Sequence, residues 1–167
     1  MSFDYLKFPF RKIPELRDSF IRIDNKFEDF ASLDKYKYVI IKSWNRDYPL
    51  PQLPENILIL EFVCKYKFHL HNLPASIEVL YFNYQYNYPL ENLPRNLYQL
   101  EFFGKSFDNN MYIHPLNFLP ESIKILNICN TINQVSSNLP LGLKSMNYSS
   151  NTFSDDVIVY PLELEQL

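Results

Sequence analysis

Residues Leu73–Leu90 read LPASIEVLYFNYQYNYPL, and Leu-Pro returns immediately afterwards at Leu93-Pro94. Taken as a template of twenty places, this stretch opens with Leu-Pro and has an apolar residue at place five, Leu at place eight and an aromatic at place ten. An aromatic-Asn pair follows at places fourteen and fifteen, and Pro-Leu at seventeen and eighteen. A fixed internal period overrides any local reading of helix or strand, so it organises everything else.

Laid along the chain, the opening phrase recurs as Ile13-Pro14, Leu53-Pro54, Leu73-Pro74, Leu93-Pro94, Leu119-Pro120, Leu139-Pro140 and Tyr160-Pro161, with Leu33-Asp34 in the slot between the first two. The second proline slot holds Pro9, Pro49, Pro89 and Pro115, so of the 12 prolines only Pro51 falls off the lattice. Place eight reads Phe20, Ile40, Leu60, Leu80, Leu100, Leu126, Met146 and Leu167. Place ten reads Phe62, Phe82, Phe102, Ile128 and Tyr148, but Arg22 and Lys42 in the first two units. Those units are therefore degenerate or locally shifted by a residue. Residues 13–32 also fit an amphipathic helix, because Leu16, Phe20, Ile23, Phe27 and Phe30 step by helical intervals. Both readings of that segment stand.

Places eight and ten are two apart, so on a strand they share one face and point into a core, while seven, nine and eleven point away. Proline at place two has no amide to give a sheet ladder and belongs where the strand has not begun. One such unit buries too little apolar surface to hold itself together, so units must stack on their neighbours. The expected fold is a β-solenoid of about seven to eight coils sharing one parallel sheet, spaced about 4.8 Å apart. It is expected as a single domain over 1–167: a degenerate or helical cap at 1–32, repeats over 33–159, and a truncated last strand at 160–167.

Composition narrows the function classes. The chain of 167 residues is 47% hydrophobic and 17% aromatic, which excludes general disorder. Its 2 glycines, Gly104 and Gly142, stand alone, whereas a phosphate-cradling loop needs several at fixed spacing. Net charge is -3 with no basic block, so a nucleic-acid partner is not expected. No apolar run is long enough for a membrane span, and MSFDYLKFPFRK lacks the layout of a secretory signal. With 2 cysteines, a reducing, cytoplasmic setting is expected.

With those columns in place, Leu73-Pro74…Leu80…Phe82…Tyr86-Asn87-Tyr88-Pro89-Leu90 and Leu119-Pro120…Leu126…Ile128…Ile132-Asn133-Gln134 resemble the FNIP repeat, a short leucine-rich-repeat relative found in amoebal and giant-virus proteins. The resemblance is good over 33–159 and looser over 1–32. It departs from the pattern at Lys67 and His69, and at six residues inserted between Phe102 and Pro115. Wealth in Asn, Ile, Tyr, Phe and Lys is similar to proteins of AT-rich genomes, which fits that family, and the resemblance implies a cytoplasmic setting, a host's cytoplasm or a virion if the chain is viral. The resemblance implies a leucine-rich-repeat-like scaffold for protein–protein contacts, with no catalytic residues and no cofactor. Some members of that family carry an F-box ahead of the repeats, as ubiquitin-ligase adaptors. Ile13-Pro14-Glu15-Leu16 and Val39-Ile40-Ile41-Lys42-Ser43-Trp44 resemble the two ends of an F-box, although the repeat lattice already accounts for them.

The chemistry-bearing residues have plainer readings. His69 and His71 are two apart and expected on opposite faces, with His114 roughly 10 Å along the stack, so no metal site is expected. Cys64 and Cys129 are separated by about three coils, roughly 14 Å, beyond disulfide reach. Glu61 and Glu101 share place nine at roughly 9–10 Å, a separation that inverting glycosidases use. Tyr81 lies between them and no third acid or base converges, so solvated carboxylates on an outward face are the simpler expectation.

That outward face is the expected partner-binding surface: Ile59, Glu61, Val63, Val79, Tyr81, Asn83, Glu101 and Phe103. Apolar and aromatic residues turned away from the core mark interaction sites, and the two glutamates would form an acidic rim suited to a basic partner. Two further contact candidates are the C-terminal end LELEQL, an open edge for a homo-oligomer, and the insertion GKSFDNNMYIH at Gly104–His114.

Overall fold

The computed structural model describes residues 19–83, 86–102, 112, 114–129 and 139–149, with backbone alone at 129 and 147–149. It is a parallel sheet of seven strands in strict sequence order. The strands are β1 (Phe20–Ile23), β2 (Tyr38–Ile41), β3 (Ile59–Phe62), β4 (Val79–Phe82), β5 (Gln99–Phe102), β6 (Ile125–Cys129) and β7 (Ser145–Ser149). Among the described residues the one helical element is a short 3-10 turn at Phe30–Lys35, started by the Asp29 carboxylate, which accepts the Ser32 amide at 3.2 Å. This is a β-solenoid.

Each coil is built the same way. The place-two proline carbonyl accepts the amide three residues on: Ile77 to Pro74 at 3.2 Å, Leu97 to Pro94 at 3.0 Å, Ile123 to Pro120 at 3.1 Å. That tight turn delivers place five into the core, where Ile57, Ile77, Leu97 and Ile123 are fully buried. The strand is then entered by two consecutive amides sharing one carbonyl of the coil before, as Glu78 and Val79 do on Leu58 and Tyr98 and Gln99 on Glu78. Register does the rest. Leu60, Leu80, Leu100, Leu126 and Met146 queue along one line, with Phe62, Phe82, Phe102 and Ile128 beside them.

The rings at place ten stack. Phe62 and Phe82 are 5.1 Å apart and nearly parallel, and Phe82 and Phe102 are 5.0 Å apart. The place-fourteen tyrosines fold back under them, Tyr66 against Phe62 at 4.7 Å and Tyr86 against Phe82 at 4.5 Å. Tyr66 Oη accepts the Leu50 amide of the preceding coil at 2.9 Å, so even this buried hydroxyl ties coil to coil. The Tyr86 and Tyr112 hydroxyls are buried in the same layer without a hydrogen-bond partner, and burial raises both above the ordinary phenol range.

Two alternatives left open for the first coils are decided. Residues 20–23 form a strand and 30–35 a 3-10 turn, so the described part of 13–32 is a coil of the solenoid and not an amphipathic helix. Secondly, the first units are shifted locally by a residue: the column at place eight begins Ile21, Val39, Leu60 in place of Phe20, Ile40, Leu60. The slip of one residue has a simple cause. With Ile40 inward, Lys42 would follow it into the core, whereas Val39 and Ile41 inward leave Lys42 exposed and Arg22 outward. Phe20 is left 39% exposed, with Arg22 over its ring at 4.9 Å. Val39–Ile41 are thus strand and Trp44 is core, with its Nε1 donating to the Tyr48 carbonyl at 2.8 Å, so the phrase likened to an F-box end is part of the second coil.

Asn72 and Asn92 hold the turn ahead of Leu-Pro with φ of 63° and 61°. Asn tolerates this left-handed backbone, and a β-branched residue does not. Asn92→Val is therefore expected to lose about 1–3 kcal/mol, and Asn92→Gly to be neutral or better. Urea denaturation of both variants checks this; an unchanged midpoint for Asn92→Val contradicts it.

Candidate functional site

Away from the core, the strands present two columns. One runs Ile40, Glu61, Tyr81, Glu101, Asn127, one residue per strand. Beside it runs Tyr38, Ile59, Val79, Gln99, Ile125. At these strand positions every second residue faces out, so the sheet itself assembles Tyr81 between two carboxylates.

The face is less open than the sequence implied. Tyr81 is 5% exposed, Glu61 9% and Glu101 1%, and Ile59 and Gln99 are buried with them. Ile59 and Tyr81 form a second apolar cluster, joined by Tyr38, Leu58 and Val79. Val63, Val79 and Asn83 are half-buried, and Phe103 lies outside the described residues. The expected solvated glutamates are thus corrected: neighbouring side chains at strand spacing shield them, and both are held by hydrogen bonds. The register does bring Glu61, Tyr81 and Glu101 together on adjacent strands, as spacing implied.

The two carboxylates are held differently. Glu61 takes one donor on each oxygen, the Tyr38 hydroxyl on Oε2 and the Asn83 amide on Oε1. Glu101 takes the Gln99 amide on Oε1, while its Oε2 is buried with no hydrogen-bond partner. Burial pushes the Glu101 carboxyl above its usual range, against the Asn127 and Gln99 amides, which favour the charged form. The Tyr81 hydroxyl is raised by burial, then by Glu101 and Glu61. Tyr38 is raised likewise, by burial and by Glu61. At neutral pH both phenols are neutral: Tyr38 donates to Glu61, and Tyr81 stands between the two carboxylates.

On the return arms, His69 and His71 stack with ring centroids 5.3 Å apart, so the expectation of opposite faces is corrected. The arm is not a pleated strand, and alternation does not apply to it. His69 also packs edge-on to Tyr88 at 5.1 Å, and His114 Nε2 donates to the Asn87 carbonyl at 3.0 Å. Among the described residues no group of three or more His, Cys, Asp or Glu is placed to hold a metal ion. Cys64 is a free thiol, pushed up to about 11 by burial against a lowering hydrogen bond from the Trp44 backbone. Among the described residues no helix is long and apolar enough to cross a membrane.

Sequence reading missed the side-chain ties between coils. Two places after each Leu-Pro proline, Asn56, Ser76, Asn96 and Ser122 donate to carbonyls of the coil before, at 2.7–3.0 Å. Glu55 and Glu121 accept the Ala75 and Leu141 amides of the coil after. At Gly142 the column has no side chain, and the Lys124 ammonium fills the space a Cβ would take. Small polar residues at that place were the available signal. Arg46, which reaches back to the Asn25 and Phe27 carbonyls at 2.7 and 2.6 Å, left no periodic trace.

The family comparison bears on this same part of the sheet. Residues 67–103 match the FNIP Repeat. The FNIP match takes in β4 and β5 whole, with the arm between them, and so includes Tyr81, Gln99 and Glu101. The FNIP pattern of Leu-Pro, inward Leu and inward Phe is what the neighbouring coils repeat in three dimensions. No match to the chain was found among curated proteins or among solved structures.

Proposed function

We propose that the protein is a non-catalytic repeat scaffold that binds another protein through the outward face of its sheet, in a reducing cytoplasm. The reading rests chiefly on one observation: seven strands in unbroken register turn single residues into columns of aligned side chains. Repeat solenoids use such extended surfaces for recognition, and the FNIP match is in keeping with a repeat of that kind. The mixed chemistry of the face, with Val63 and Val79 half-buried beside Tyr81 and two carboxylates, suits a protein partner better than a uniform one.

The test uses the full chain as bait. Val63→Arg with Val79→Arg changes the half-buried rim without emptying the layer beneath, while Lys67→Ala alters an exposed residue on a return arm. A partner held by the unaltered chain and by Lys67→Ala, and lost by the double variant, is the expected result. Equal recovery by all three removes this face as the site.

A further inference from the structure

We infer that Glu101 is the anchor of this face and that it receives a lysine or arginine side chain from the partner; the inference rests on the scaffold reading above. Two glutamates occupy the same column two strands apart, and only one of them is complete. Glu61 is closed by two internal donors, Tyr38 and Asn83. Glu101 is deeper, at 1% exposed, yet one of its oxygens has no partner.

A buried carboxylate oxygen with no donor costs stability, and leucine would fill a similar volume without that cost. Among the described residues, the outward-facing basic side chains nearest along the sheet are Lys42, just after β2, and Arg22 on β1. They lie three and four strands from β5, about 14 Å and 19 Å at the usual strand spacing. What Oε2 lacks is a single charged donor. Burial raises the Glu101 carboxyl against the Gln99 and Asn127 amides, so a cation placed beside it would draw it back to the ionised form. A neutral donor would gain less, because a cation adds charge–charge attraction to the hydrogen bond in a site shielded from water. Since Glu101 is covered, the outer side chains must part to admit the ligand, which slows association relative to an exposed carboxylate.

The probe is fluorescein-labelled hexaarginine, with hexacitrulline as the uncharged control, measured by anisotropy on the full chain. Glu101→Gln, Glu61→Gln and the exposed Glu91→Gln each remove one negative charge. Glu101→Gln is expected to weaken hexaarginine binding about tenfold or more, and Glu91→Gln by less than about threefold. In parallel, a 13C carboxyl titration should find the Glu101 pKa lowered when hexaarginine is present. Equal losses in all three variants, or a Glu101 titration indifferent to the peptide, overturns the assignment. If the Val63→Arg, Val79→Arg chain loses its partner while hexaarginine ignores Glu101, the scaffold reading stands and this one falls.

Discussion

Phe82→Ala is expected to lower unfolding stability by about 3–5 kcal/mol, the usual cost of emptying a fully buried aromatic site. Phe82 is 1% exposed and lies in the middle of the ring stack, touching Phe62, Phe102 and Tyr86 at centroid distances of 5.1, 5.0 and 4.5 Å. The cavity opens between coils. In a solenoid each coil leans only on its neighbours, so a gap at the centre removes interface on both sides. Small domains have about 5–15 kcal/mol in total, and this single change takes a large part of it. Urea denaturation followed by circular dichroism measures the loss. A midpoint shift equal to that of an exposed substitution such as Tyr48→Ala would show that the stack does not carry the fold.

The second large effect is a pair of opposite signs in one column. Glu61→Ala strands two donors, the Tyr38 hydroxyl and the Asn83 amide, at roughly 1–3 kcal/mol for each. Glu101→Gln removes a buried charge that has one oxygen unpartnered, keeps an acceptor for Gln99, and is expected to stabilise the free protein at neutral pH. The pH dependence follows from the direction of the Glu101 shift. Its folded-state value is raised above the ordinary 4.5, so the folded form holds its proton more tightly than the unfolded chain. The stability this contributes is complete below the unfolded value and is lost as pH rises through the folded one. The advantage of Glu101→Gln over the parent should therefore be small under acid conditions and grow from about pH 4.5 upward. An advantage independent of pH, or a destabilised Glu101→Gln, contradicts the assignment of burial as the cause.

The same residues measure how far the site could be read in advance. The column Glu61, Tyr81, Glu101 was legible, because every second residue of a repeated strand shares a face and the period aligns the strands. Its burial was not. Whether an outward glutamate is solvated or held depends on what stands on neighbouring strands: Tyr38 and Asn83 reach Glu61 from 23 and 22 residues away. No local pattern encodes such pairs. The stacked histidines were misread for a related reason, since alternation holds for pleated strands and not for the return arms.

The period by itself determined the architecture. Prolines that cannot join a ladder, and inward Leu and Phe at two-residue spacing, leave stacked coils as the arrangement that buries the apolar face of every unit. Only the tertiary structure decided the register of the first coils, where keeping Lys42 out of the core shifts β2 by one residue, and the unequal state of the two glutamates. Both turn on the energy of placing a charge among neighbours, and those neighbours are chosen by folding.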